Sequence, residues 1–222
     1  MNLKLCLERQ DIWRGGQRTA TTSTVVPSGF DALDYHLPGG GWPLGALTEI
    51  MVDDVAHSPL WLILPALVRL TTSEQHQLWV QPPHVPYPPA LARNGIDLTT
   101  TVIVRPKRAH DALWATEQAL RSRACSAVLY WPNRLPSSAL RRLQLAAEIS
   151  QAWALCFRSG RFASRPTMAA LRLGFKPTPT GASLSILKCR GGRTVEDLTI
   201  HRTQSSQPPD HSVSLSDHYP CT

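Results

Sequence analysis

Three stretches of this chain carry residues that can do chemistry. The first is Val52-Asp53-Asp54-Val55-Ala56-His57-Ser58-Pro59, between two apolar runs. A loop joining a strand to a helix is a ready anion site, because backbone N–H groups at the helix start converge on a phosphate. Such a cradle needs glycines for close approach and a lysine for charge. Residues 52 to 59 hold neither, and Asp53 and Asp54 place negative charge where phosphates would lie. Two like unit charges about 4 Å apart repel by roughly 4 kcal/mol at an effective dielectric of about 20. Ser58 with Pro59 reads as a helix start, Ser as the cap and Pro at the first helical position. Ser58 as an ordinary cap is the simpler reading beside residual phosphate contact, and His57 reads as a solvated loop residue. Pro59 also removes one N–H donor from any anion site.

The second stretch is Arg158, Arg161, Phe162 and Arg165, read as a basic loop that follows a strand. Arginines beside an aromatic ring can hold phosphates and stack a base of single-stranded DNA. The plainer alternative is a solvated basic loop. Arg134, Arg141 and Arg142 can extend the same basic surface. The third stretch is Pro82 to Pro89, with prolines at 82, 83, 86, 88 and 89. It is expected to be stiff and extended. It acts either as a rigid loop that fills a cleft or as a docking loop with Tyr87 as its anchor. Trp13 and Arg14, in Trp13-Arg14-Gly15, offer a further partner anchor, with simple packing on the chain's own domain as the alternative. No nucleophile elbow, zinc-binding His pair or carboxylate pair is visible. The five cysteines form no C-x-x-C pair and suit reduced thiols.

The elements that must position these residues alternate. Strands are expected at Ala46–Val52, Gln77–Gln81, Thr101–Arg105, Ala127–Trp131, Trp153–Phe157, Ala169–Phe175 and Ser183–Lys188, with a last one over Thr194–Arg202. Helices are expected at Pro59–Leu70, Pro89–Asn94, from an Asp111 cap to Arg123, and from a Ser137 or Ser138 cap to about Ala152. This alternation implies an α/β core with a mostly parallel sheet and helices on both faces. Residues 1–26 read as an N-terminal arm and linker, 27–202 as the core domain, and 203–222 as a disordered tail without apolar period. The 222 residues are 42% hydrophobic with a formal charge of +7, which suits a globular protein with acidic or phosphate partners. The longest apolar run, Leu60 to Leu70, is too short to span a membrane and contains Pro65 and Arg69. Glu8 and Arg9 interrupt the N-terminus before a signal core can form, so the expected location is the cytoplasm.

The run Ser28-Gly-Phe-Asp-Ala-Leu-Asp34, Leu37-Pro-Gly-Gly-Gly-Trp-Pro-Leu-Gly45 and Ala46 to Glu49 resembles the segment that leads into the phosphate loop of RecA-type recombinases. That resemblance implies a RecA-like, P-loop-type three-layer core. It also implies that the loop at 52–59 is a degenerate phosphate loop, that Trp131 stands where RecA has its magnesium-binding Asp, and that Pro83 falls at or near the place of the catalytic Glu. The chain is therefore expected to be a pseudo-ATPase with no cofactor, no metal and no catalytic residues. In RecA the loop at the place of residues 158–165 contacts single-stranded DNA.

Trp13-Arg-Gly, Leu37 to Pro43, Pro82 to Leu91, Leu113 to Ser122, Leu140 to Glu148 and Leu187-Lys-Cys-Arg-Gly191 together resemble ImuA, the RecA-like accessory protein of damage-induced translesion synthesis. This resemblance covers about residues 10 to 192. It implies a non-catalytic adaptor of SOS mutagenesis, with an ImuB-like adaptor and an error-prone DnaE-type polymerase as partners, and RecA and single-stranded DNA as further candidates. SulA, a related and shorter protein that binds FtsZ, gives the alternative: a cell-division inhibitor. An ATPase with a displaced phosphate site is the second alternative.

Overall fold

The computed structural model of the chain describes residues 24–55, 59–71 and 74–202. Its first part is a clasp rather than a linker. Val25–Val26 (β1) pairs antiparallel with Trp42–Pro43 (β2), so two residues assigned from sequence to the arm join the folded unit. Between them Ser28 Oγ accepts the Phe30 N–H at 3.1 Å, and the Ser28 N–H donates to Asp34 Oδ1 at 3.0 Å. These bonds close the turn into the short helix Asp31–Asp34 (α1). Gly41 lies so near this clasp that a Cβ there would sit 2.3 Å from the Val26 carbonyl oxygen.

The remaining strands are Ala46–Val52 (β3), His76–Val80 (β4), Thr101–Val104 (β5), Cys125–Tyr130 (β6), Trp153–Ser159 (β7), Leu171–Thr178 (β8), Gly181–Cys189 (β9) and Val195–His201 (β10). The helices are Leu60–Arg69 (α2), Pro88–Arg93 (α3), Ala109–Ser122 (α4) and Ser137–Ser150 (α5). Strands β3 to β10 form one mixed sheet in the order β10-β9-β8-β3-β7-β6-β4-β5. The pairs from β8 across to β5 are parallel, and β9 and β10 add an antiparallel edge. The architecture is α/β with a mostly parallel sheet.

The pleat explains the sequence. On β6, Ala127 and Leu129 face one core while Val128 and Tyr130 face the other. Helix α2 and Leu91 of α3 cover the first face, and α4 and α5 cover the second. Both faces are therefore dry, which is why β3 and β6 read as near-continuous apolar runs.

Helix starts differ from expectation. Helix α4 begins at Ala109, ahead of Asp111, because Asp111 sits in the first turn and pairs with Arg108 at 2.9 Å. Helix α5 has Pro136 at its cap position, so Ser137 is its first helical residue and neither Ser137 nor Ser138 caps it. In α2, Pro59 precedes the helix and Leu60 is the first helical residue, while Pro65 lies inside the helix. Pro88 and Pro89 are not part of an extended run. They open α3, where their missing N–H groups cost no helix bond.

Candidate functional site

At the end of β3, Val52 is buried and Asp53 and Asp54 are exposed. His57 and Ser58 lie outside the described residues. The strand–loop–helix connection is thus present, with two carboxylates at its start and the buried Pro59 at its end. Beyond the end of β6, Trp131 is 4% exposed and stacks on Phe157, with ring centroids 4.9 Å apart and planes 16° apart. Its side chain fills core beside Trp79, whose ring lies 6.1 Å away. Pro82 is buried and Pro83 half-buried beyond β4.

The densest cluster of charge lies on the other face of the sheet. Glu49 is on the central strand β3, with β7 on one side and β8 on the other. Its register partner on β8 is Arg172, and Arg158 of β7 is the partner of Met51, two residues along. The side chains of 49, 158 and 172 share one face and are all buried. Arg172 Nε donates to Glu49 Oε2 at 2.9 Å, and Arg158 Nη1 donates to Glu49 Oε1. Thr167 Oγ1 donates to Glu49 Oε2 at 2.6 Å. Arg172 Nη1 also donates to the carbonyls of Ala163 at 2.7 Å and Arg165 at 2.6 Å. From β9, Lys188 Nζ donates to the Thr167 carbonyl at 2.8 Å. Burial, with Arg190 and Arg172 nearby, holds the Lys188 ammonium below the usual lysine range. One carboxylate thus anchors two guanidiniums, and these pin the loop that follows β7.

This arrangement corrects the placing of Arg158. From sequence Arg158 is expected on the basic loop after the strand, as a phosphate-binding candidate, but it belongs to β7 and its charge meets Glu49. The sequence hides this because the carboxylate partner is 109 positions away. The loop proper starts with a 3-10 turn at Gly160–Phe162. Arg161 and Arg165 are exposed there. The guanidinium carbons of Arg158, Arg161 and Arg165 stand 5.1, 4.7 and 5.0 Å from the centroid of the Phe162 ring. The four residues singled out from sequence do come together. But three cations already crowd the ring, so a base stacking on Phe162 would have to displace one. Arg134 and Arg141 are exposed, whereas Arg142 is tied to Glu117 at 3.2 Å.

Tyr87 occupies the cap position of α3 and is 70% exposed. It lines a cleft of about 1060 Å³ between α2 and α3. Trp13 and Arg14 lie outside the described residues. Cys125, Cys156 and Cys189 are free thiols, and burial raises the pKa of each. Among the described residues, no group of His, Cys, Asp and Glu has the geometry to hold a metal ion, and no helix is long and apolar enough to cross a membrane. Sequence reasoning missed Glu49 and Arg172. The signal was available: a charged residue inside an otherwise buried strand requires an opposite partner.

Residues 45–154 match the family model for the cell division inhibitor SulA. SulA of Edwardsiella piscicida is 37% identical over 95 residues, which are 42% of this chain and 56% of that protein. RecA of Streptomyces coelicolor is 25% identical over 118 residues, 53% of this chain and 31% of that protein. This chain is related to SulA and RecA. The crystal structure of SulA from Pseudomonas aeruginosa is 25% identical with a TM-score of 0.43, over 51% of this chain and 98% of that one. The chain spans little more than half the length of the Edwardsiella SulA and under a third of the Streptomyces RecA.

Proposed function

We propose that this chain is a non-enzymatic interaction protein of the DNA-damage (SOS) response, which engages FtsZ and holds back cell division as a SulA-like inhibitor. The observation that carries this reading is the SulA match over residues 45–154, the segment from β3 to the start of β7 that supplies most of the parallel part of the sheet, out to its edge strand β5. It supports division inhibition better than the translesion role implied by the resemblance to ImuA. The absence of catalysis is supported by the chemistry of a RecA-like core whose phosphate place carries Asp53 and Asp54 and whose β6 end carries the buried Trp131.

A second reading keeps the translesion adaptor, with an ImuB-like protein, an error-prone DnaE-type polymerase and RecA as partners. One observation favours it. The folded unit extends beyond the SulA match on both sides, through the β1–β2 clasp and through β8 to β10. Two of the motifs that resemble ImuA, Leu37 to Pro43 and Leu187 to Gly191, lie in those flanks. In that second reading the exposed Arg161 and Arg165 would be the residues to meet nucleic-acid phosphates.

The test is overproduction in undamaged cells, with affinity capture scored for FtsZ, RecA and an ImuB-like protein, beside a gene deletion scored for damage-induced mutants. Filamentation with capture of FtsZ is the expected result. Normal division on overproduction, joined to a loss of induced mutants in the deletion, would replace the first reading by the second.

A further inference from the structure

Helix α2 reads Leu60-Trp-Leu-Ile-Leu-Pro-Ala-Leu-Val-Arg69 and is apolar all round. A helix of that kind is expected to be covered all round. Its inner side, Leu62, Ile63, Ala66 and Leu67, is fully buried. Its outer side is not. Leu60, Trp61, Leu64, Pro65 and Val68 line the open cleft between α2 and α3. The i, i+4, i+8 spacing of 60, 64 and 68 makes a continuous apolar wall. Tyr87 and Leu91 supply the facing wall, and Phe30, packed edge-on to Trp61 at 5.7 Å, closes one end. At Gly29 (φ +86°) a Cβ would meet Pro65 Cβ at 2.7 Å, so the turn before α1 seats directly on α2 beside the cleft. The ionised side chains in its lining are Arg69 and Arg202, and among the described residues no carboxylate lines it.

We propose that this cleft docks an acidic amphipathic segment of a partner protein. Apolar anchors at helical spacing would enter the wall of α2 and meet Tyr87, and carboxylates beside them would meet Arg69 and Arg202. A volume of about 1060 Å³ suits several side chains of a helix laid in a groove. Apolar walls exclude a nucleic-acid backbone, and the two arginines select against a basic segment. The chemistry of the cleft is the same whichever damage response the chain serves.

The probe is a fluorescent synthetic helix of about 16 residues, with Leu and Phe at i, i+3, i+4 and i+7 and Glu between them, compared with its Lys-for-Glu counterpart. With the full chain, the Glu probe is expected to bind at least about tenfold more tightly than the Lys probe. Tyr87→Ala should weaken the Glu probe about tenfold, and Arg69→Glu with Arg202→Glu should invert the preference. All three residues are exposed, so these variants keep the fold, which circular dichroism checks. Equal affinity for both probes, or affinity unchanged by Tyr87→Ala and by the charge reversals, overturns the proposal. Displacement of the probe by a synthetic peptide of residues 203–222 would make the chain's own C-terminal segment the occupant. Self-association that the probe reverses would make it a second copy. Either outcome also overturns it.

Discussion

Arg172 meets Glu49 twice, through Nε at 2.9 Å and Nη2 at 2.8 Å, across the parallel β3–β8 ladder that makes the two residues register partners. Both are buried, so neither charge is screened by solvent. Their worth is best judged by removal. An intact buried pair can be nearly neutral against an apolar replacement, but deleting one member strands the other. Here Glu49→Gln would strand two guanidiniums, since Arg158 depends on the same carboxylate. The variant is expected to lose about 3–5 kcal/mol of stability, measured by urea denaturation with unchanged slope. A loss below about 1 kcal/mol would mean that water already reaches the cluster.

The same geometry separates fold from binding along the Phe162 loop. Arg158 is structural, whereas Arg161 and Arg165 are exposed. Arg161→Ala with Arg165→Ala is expected to weaken binding to an oligo-dT strand. The slope of log K against log salt should fall by about 1–1.5, since each phosphate neutralised on a single strand adds roughly 0.7. Stability should hold within about 0.5 kcal/mol. Phe162→Leu keeps the apolar anchor and should change binding little if phosphates rather than bases are held. A binding isotherm that ignores the double variant rules the loop out.

How far this could be read from sequence follows from where the partners lie. Strands β3, β6 and β7 were legible because both faces are dry and most of their residues are apolar, Glu49 and Arg158 excepted. The α/β alternation followed from them. Element ends shifted by one to three residues, as at Asp111, where the cap is Arg108, and at Ser137, where it is Pro136, because a cap is decided by local bonds rather than by the apolar pattern. The Phe162 cluster was legible because its exposed members lie within a few residues of one another. Glu49 and Arg172 were not, being 123 positions apart and joined only by strand order. The cleft lining was hidden for a related reason. A wholly apolar helix reads as buried, and nothing local says that one wall is left open.

A nucleotide experiment addresses the loop after β3. Calorimetry with ATP and magnesium is expected to show no heat of binding at protein concentrations near ~50 μM, the range where a micromolar site would saturate. The reason is electrostatic: Asp53 and Asp54 stand exposed at the mouth of the loop, and residues 52 to 59 contain no lysine to bind a phosphate. Asp53→Gly with Asp54→Lys adds conformational freedom and a cation but leaves Trp131 where a metal-holding carboxylate would be needed. Weak phosphate affinity without hydrolysis is the expected gain. A low-micromolar Kd in the unaltered chain would refute the pseudo-ATPase reading.

Alkali should destabilise this protein. Burial pushes the thiols of Cys125, Cys156 and Cys189 above their ordinary value of 9.0. Burial, with Cys156 beside it, pushes Tyr130 up to about 12. A folded pKa above the unfolded one means that the neutral form is favoured by folding. That contribution is complete below the unfolded pKa and is lost as pH rises through the folded one. For the thiols the loss begins near pH 9, and for Tyr130 it runs from about 10 to about 12. The urea midpoint is therefore expected to be steady from about pH 7 to 8 and to fall progressively above about pH 9. The buried Cys156→Ala should flatten the first part of that fall, and Tyr130→Phe the second. At about pH 8 the native Cys156 thiol should resist iodoacetamide until denaturant is added, read by mass spectrometry. A midpoint that stays level from about pH 8 to about pH 11 would show that these groups titrate as freely in the folded chain as in the unfolded one.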